Sequence, residues 1–157
     1  MPETMPETRN AVQPECLADS CGAASLRVPA RASYLPLVGV LVQWFGRRAG
    51  LSDEKAQELD VAVDEACSNV VRHAFSEGTA GEITVFFAPF DGGLRVTVAD
   101  KGARFCPPHG IEIAWAKRQL DPASGGSGLL LIKRLTDGTE YQWDRRDGNR
   151  FTLVKHR

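Results

Sequence analysis

From residue 33 to residue 75 apolar side chains recur every three or four positions, the period of helices with one buried face. Leu37, Val38, Leu41, Val42 and Phe45 form the first such face. Ser33 is placed to cap that helix, Pro36 fits its first turn, and Gly50 ends it after about Ala49. Ser52 and Asp53 open a second helix to about Phe75, with Leu59, Ala62, Val63, Ala66, Val70 and Ala74 as its apolar set. Elsewhere the period shortens to two. Ser25–Ala30 alternates like a short edge strand closed by Pro29. Glu82–Phe90 and Leu94–Asp100 are strand-like and joined by Asp91-Gly92-Gly93, a hairpin turn. Glu140–Arg146 and Arg150–His156, joined by Asp147-Gly148-Asn149, form a second hairpin. Gly128–Asp137 reads as a buried helix. Before it, Lys101–Gly126 is a long connection with a short helical segment near Ile111–Leu120, and connections of that length are usually functional. Strands joined mostly as hairpins, with helices between them, predict an α+β fold. It is a two-layer sandwich with helices on one face of a mostly antiparallel sheet.

Composition narrows this picture. The chain has 157 residues, 43% hydrophobic and 25% charged, which fits one soluble domain. Residues 1–23 are rich in Pro, Glu, Thr and Ala and are expected to be a disordered tail, leaving residues 24–157 as the domain. A net charge of -1 gives no electrostatic reason to expect nucleic acid or an anionic membrane as partner. No apolar run approaches a bilayer span, and no basic segment followed by an apolar one marks a secretory signal. The four cysteines, Cys16, Cys21, Cys67 and Cys106, are too few and scattered for a disulfide framework. They read as reduced thiols, which points to the cytoplasm.

Three constellations carry chemistry. In "DEACSNVVRH" (Asp64–His73), residues four apart differ by only about 40° around a helix, so Glu65, Asn69 and His73 share one stripe. A carboxylate there can take a proton, and an amide oxygen suits Mg²⁺. Taken alone, the stripe reads more readily as the solvated face of an amphipathic helix. In "VADKGARF" (Val98–Phe105), Asp100 ends an apolar strand and could accept a hydrogen bond from an exocyclic amine such as that of adenine. Gly102 would let a base approach the backbone closely. Taken alone, it is an ordinary turn. In "SGGSGLLLIKRL" (Ser124–Leu135), a glycine-rich turn feeds a helix whose free N–H groups and dipole favour an anion. The spacings of the P-loop, the dinucleotide fingerprint and the nucleophile elbow are absent. Cys106 and His109 have no second pair at zinc-finger spacing.

These three features, in this order, resemble the N, G1 and G2 boxes of the Bergerat-type (GHKL, histidine-kinase-like) ATP-binding fold. The likeness runs from about Ser25 to the C-terminus through "LDVAVDEACSNVVRHAF", "VADKGARFCPP", "GGSGLLLIKRLTD" and "DGNRFTLVK". It is strongest with the anti-sigma-factor serine/threonine kinases of the RsbW and SpoIIAB-like branch. The resemblance implies ATP and Mg²⁺ as cofactors. It makes Glu65 the general base toward the acceptor hydroxyl and Asn69 the Mg²⁺ ligand. Asp100 and Gly102 become the adenine readers, and Gly126, Ser127, Gly128 and Leu129 lie at the phosphates. Lys101–Ser127 becomes the segment over the nucleotide. As partners it implies a STAS-domain anti-anti-sigma factor, a sigma factor and a second copy of the chain, with Trp44 or Phe45 supplying an apolar patch. A non-catalytic module, with ATP setting partner affinity, is the alternative. Two positions depart from the pattern. Arg104 replaces the second glycine of D-x-G-x-G and is assigned to phosphate or a partner. A threonine near the adenine is replaced around Asn149, which leaves that contact open.

Overall fold

The computed structural model describes residues 22–105 and 127–157. Expectations for the N-terminal tail, the helical segment near Ile111–Leu120, Gly126, and Cys16, Cys21, Cys106 and His109 fall outside them. Five strands, β1 (Ala24–Pro29), β2 (Glu82–Phe90), β3 (Gly93–Asp100), β4 (Gly138–Asp144) and β5 (Gly148–His156), form one sheet in the order β1-β2-β3-β5-β4. Every pairing is antiparallel. Three helices, α1 (Leu35–Arg48), α2 (Asp53–His73) and α3 (Ser127–Leu135), complete the α+β sandwich that the patterning predicts.

Register explains the core. Leu26, Val85, Val98, Phe151 and Tyr141 lie in one row across the sheet, and Ala24, Phe87, Val96, Leu153 and Thr139 in another. Val85, Phe87, Val96 and Leu153 are fully buried under the helices. A third row runs Val28, Ile83, Asp100, Asn149, Trp143. Its first two residues are core, and its next two are a buried polar pair. The core-facing surface of the sheet therefore changes from apolar to polar along a single row.

The helices are fixed by their ends. Ser52 caps α2 by accepting from Lys55 N at 3.2 Å, and Asp53 and Glu54 in the first turn complement the helix dipole. Gly50, at φ 85°, closes α1; Leu51 N donates to Gly46 O and Gly50 N to Arg47 O, a Schellman stop. The start of α1 differs from expectation. Ser33 lies in a 3-10 turn (Ala32–Tyr34), and the cap position is Tyr34, whose side chain makes no capping bond. The inward face is accordingly Leu35, Val38, Val42 and Phe45, whereas Leu37 is 47% exposed. Phe45 is core, stacked on Phe87 with ring centroids 5.0 Å apart, so Trp44 alone of the pair is on the surface. Buried Lys155 pairs with Glu58 of α2 and donates to Leu135 O, which ties α3 to α2 and β5. No helix among the described residues is long and apolar enough to cross a membrane.

Candidate functional site

The polar stripe of α2 faces a cavity rather than open water. Glu65, Asn69 and His73 line a space of about 500 Å³. Asp100 and Asn149 from the sheet, Ala103–Phe105 from the turn after β3, and Gly128 from α3 also line it. That volume falls within the roughly 300–1,000 Å³ typical of small-molecule sites. The cavity sits where the apolar core row gives way to its polar pair, with α2 as one wall and the first turn of α3 as another.

Asp100 is 5% exposed. Its Oδ1 accepts from Gly102 N at 2.8 Å and from Asn149 Nδ2 at 3.0 Å. Among the described residues no donor reaches its Oδ2. Burial pushes the Asp100 carboxyl above the usual aspartate range, and the bonds from Asn149 and Gly102 hold it down in part. The result is a fixed acceptor on a residue that lines the cavity.

Glu65 keeps 25% of its side-chain surface exposed and pairs with Arg72, whose Nη2 donates to Glu65 Oε1 at 3.0 Å and to Asn69 Oδ1 at 3.3 Å. Arg72 Nε also donates to Ser68 O. A single guanidinium therefore spans the carboxylate and the amide that the sequence singles out. The two oxygens thus converge on one guanidinium nitrogen. Among the described residues no three His, Cys, Asp or Glu side chains gather to hold a metal. A divalent ion here would take most of its oxygens from phosphates and water, as Mg²⁺ usually does.

The glycines have steric roles. A Cβ on Gly102 would lie 2.3 Å from Ala74 O, so Gly102 lets the turn after β3 press on the end of α2. Sequence reasoning gave it the different job of admitting a base. A Cβ on Gly128 would lie 2.0 Å from Glu65 Oε1, so the first turn of α3 packs directly on the Glu65 carboxylate. Ser127 begins α3. The Leu129 side chain is 2% exposed within the core, which leaves only its backbone for the cavity. Arg104 lines the cavity, and its guanidinium lies 4.7 Å from the Trp143 ring centroid.

Sequence reasoning missed Arg72 as a partner of Glu65, although it stands seven residues on, on the same helical face. It also missed Tyr141 and Phe105, and it saw in Asn149 only a departure. No local signal marks Asn149. It meets Asp100 because β5 pairs with β3 in a register that makes the two residues direct neighbours.

The cavity between the helices and a mixed apolar and polar sheet face has the size of a small-molecule site, and comparison with known proteins supplies the class, an ATP-binding domain. Residues 28–155 match the model of the histidine kinase-like ATPase domain. The serine-protein kinase RsbW of Bacillus subtilis is 31% identical over 129 residues, 74% of this chain and 76% of that protein. The serine-protein kinase RsbW of Listeria monocytogenes is 32% identical over 76% of this chain and 79% of its own length. The histidine kinase domain of the blue-light activated histidine kinase EL346 of Erythrobacter litoralis superposes with TM-score 0.50 at 22% identity. It covers 82% of this chain, which spans 61% of that one. This last likeness concerns the fold alone. The chain belongs to the histidine kinase-like ATPase domain family, in the branch of the RsbW serine-protein kinases.

Proposed function

We propose that the cavity binds Mg-ATP and that the chain transfers the γ-phosphoryl group to a serine or threonine of a STAS-domain anti-anti-sigma factor. The observation that carries this reading is the arrangement of the cavity walls. A buried acceptor, Asp100, lies on the sheet side, and Glu65, with Asn69, lies on α2 against the first turn of α3. Asp100 Oδ2 takes the exocyclic amine of adenine. The N–H groups at the start of α3 face the phosphates, where the helix dipole favours negative charge. Asn69 offers one oxygen to Mg²⁺, which when bound neutralises charge on the phosphates. Glu65 accepts the proton of the acceptor hydroxyl while that oxygen bonds to the γ-phosphorus and the bridging oxygen leaves with ADP. Little covalent chemistry is asked of the protein, because phosphoryl transfer depends mainly on alignment and charge stabilisation.

The same reading extends to a regulator that also holds a sigma factor, and to a pair of copies joined through α1. Tyr34, Leu37, Val40 and Trp44 stand 40–65% exposed along the outward side of the α1 region. This apolar row supports an interface.

Incubation with Mg-ATP and a STAS protein encoded beside this chain tests the central claim. The wild-type chain yields phosphoserine or phosphothreonine on the STAS protein, and Glu65→Ala loses transfer by roughly a hundredfold or more while still binding ADP. A chain whose nucleotide-dependent partner binding survives Glu65→Ala, with no transfer by the wild type, is instead a non-catalytic ATP-binding module.

A further inference from the structure

Asn149 is 3% exposed, and its side-chain amide is fully committed. Nδ2 donates to Asp100 Oδ1 at 3.0 Å and to Ala103 O at 2.9 Å, with Gly102 O at 3.5 Å. Oδ1 accepts from Phe105 N at 3.0 Å and from the Tyr141 hydroxyl at 2.5 Å. A primary amide has two N–H donors and two acceptor lone pairs, so nothing is left over for a ligand. The orientation of the amide is forced as well. Its NH₂ meets a carboxylate and carbonyls, which only accept, and its oxygen meets an N–H and an O–H. A flipped amide would set oxygen against oxygen at Asp100.

This arrangement acts on Asp100. Asn149 and Gly102 both bind Oδ1, so the carboxylate cannot rotate without breaking two bonds, and Oδ2 of this cavity-lining residue takes part in neither. Through Ala103 and Phe105 the same amide fastens the turn after β3 to β5. Tyr141 closes the circuit, since its hydroxyl also accepts from Phe105 N at 3.2 Å.

We propose that Asn149 is a positioning residue that sets base selectivity, locking Asp100 by its Oδ1 so that Oδ2, which no described residue pairs, selects a base with an exocyclic amine over one with a carbonyl there. Asn149 itself touches no ligand. The inference rests on the nucleotide reading above and adds the residue that makes its base recognition specific.

The test is calorimetric titration of the full chain with ADP and with inosine diphosphate, whose base has a carbonyl where adenine has its amine. The wild-type chain binds ADP about tenfold or more tightly than inosine diphosphate, the size of one charge-assisted hydrogen bond. Asn149→Asp keeps the shape and the acceptor side but sets a second carboxylate against Asp100. Asn149→Leu keeps roughly the same size but removes every bond the amide makes. In both, the ADP preference falls roughly fivefold or more, through weaker ADP binding with inosine diphosphate binding nearly unchanged. Tyr141→Phe, which takes away the hydroxyl that bonds the Asn149 oxygen and accepts from Phe105 N but leaves the Asn149 bond to Asp100 in place, lowers the preference about two- to threefold and serves if the other variants do not fold. Parallel weakening of both diphosphates makes Asn149 merely structural and overturns the inference, as does an unchanged preference in the folded variants. A wild-type chain that binds neither diphosphate removes the nucleotide reading, and this inference with it.

Discussion

In the role proposed for it, Asp100 sets stability and binding in opposition. Burial raises its pKa, so between the ordinary value of 3.8 and that raised value the folded chain keeps a proton the unfolded chain has released. Over that window the ligand-free fold loses stability as pH rises. Binding runs the other way, because an amine donor needs the ionised carboxylate. ADP affinity should therefore weaken as pH falls through the raised pKa, beginning above the range of an ordinary aspartate. Asp100→Asn separates the two effects. An amide keeps Oδ1 for Gly102 N and Asn149 Nδ2, and it removes the buried charge. It also puts an NH₂ where the adenine amine would donate. We expect a melting temperature equal to or above wild type, ADP affinity down roughly 10- to 100-fold, and no acid limb in the remaining binding. Wild-type ADP affinity in this variant would show that Asp100 does not read the base. Glu65 is arranged differently. Its pair with Arg72 is partly exposed, where such pairs contribute only about 0–1 kcal/mol, so its value is positional rather than stabilising.

At the scale of elements, the two site glycines make contrasting predictions from similar geometry. A methyl on Gly128 meets the far end of the Glu65 side chain, which can swing aside, and alanine is favoured over glycine in a helix by roughly 1 kcal/mol. Gly128→Ala should melt at or above wild type, yet lose phosphotransfer about tenfold or more because the Glu65 carboxylate is displaced. A methyl on Gly102 meets the backbone carbonyl of Ala74, which cannot move without the end of α2. Gly102→Ala should cost about 1–3 kcal/mol by thermal or urea unfolding. Equal stability losses in both would mean that Glu65 is not free to move. These contacts join elements far apart in the chain, which is why the sequence shows the glycines but not their neighbours. Elements themselves were legible wherever one period dominated, as in α2 with its Ser52 cap and in both hairpins. The phase of α1 was not. Leu37 and Val38 are both apolar and adjacent, and the 3-10 turn that holds Ser33 decides which of them faces the core. That Glu65, Asn69 and Asp100 belong together was legible as residue types and order, and all three line one cavity. The residues that hold them, Arg72 and Asn149, were not, because the first depends on a side-chain rotamer and the second on sheet order.

At the scale of the molecule, the helices cover one face of the sheet, and α1 turns an apolar row outward. Val40 is 65% exposed and lies midway along that row, with Leu37 at 47% on one side and Trp44 at 48% on the other. The Arg48 guanidinium lies 5.0 Å from the Trp44 ring centroid, and Arg47 pairs with Asp53, so the row ends in charge. An apolar centre with a charged end is the anatomy of an interface core and rim. A row centred on one residue is also suited to self-pairing, because a two-fold axis through Val40 brings the same patch from both copies together. Removing four large side chains from water on each copy is a sizeable gain, at roughly 25 cal/mol per Å² of apolar surface. We expect sedimentation analysis to give a dimer for the wild-type chain and a monomer for Val40→Glu. The melting temperature should be nearly unchanged for the isolated fold, because Val40 makes no contribution to the core. No residue of α1 lines the site cavity, so ADP affinity should be retained in the monomer. A wild-type monomer at tens of micromolar would assign the row to a different partner. In that case Val40→Glu would leave sedimentation untouched and break capture of the STAS protein or the sigma factor instead.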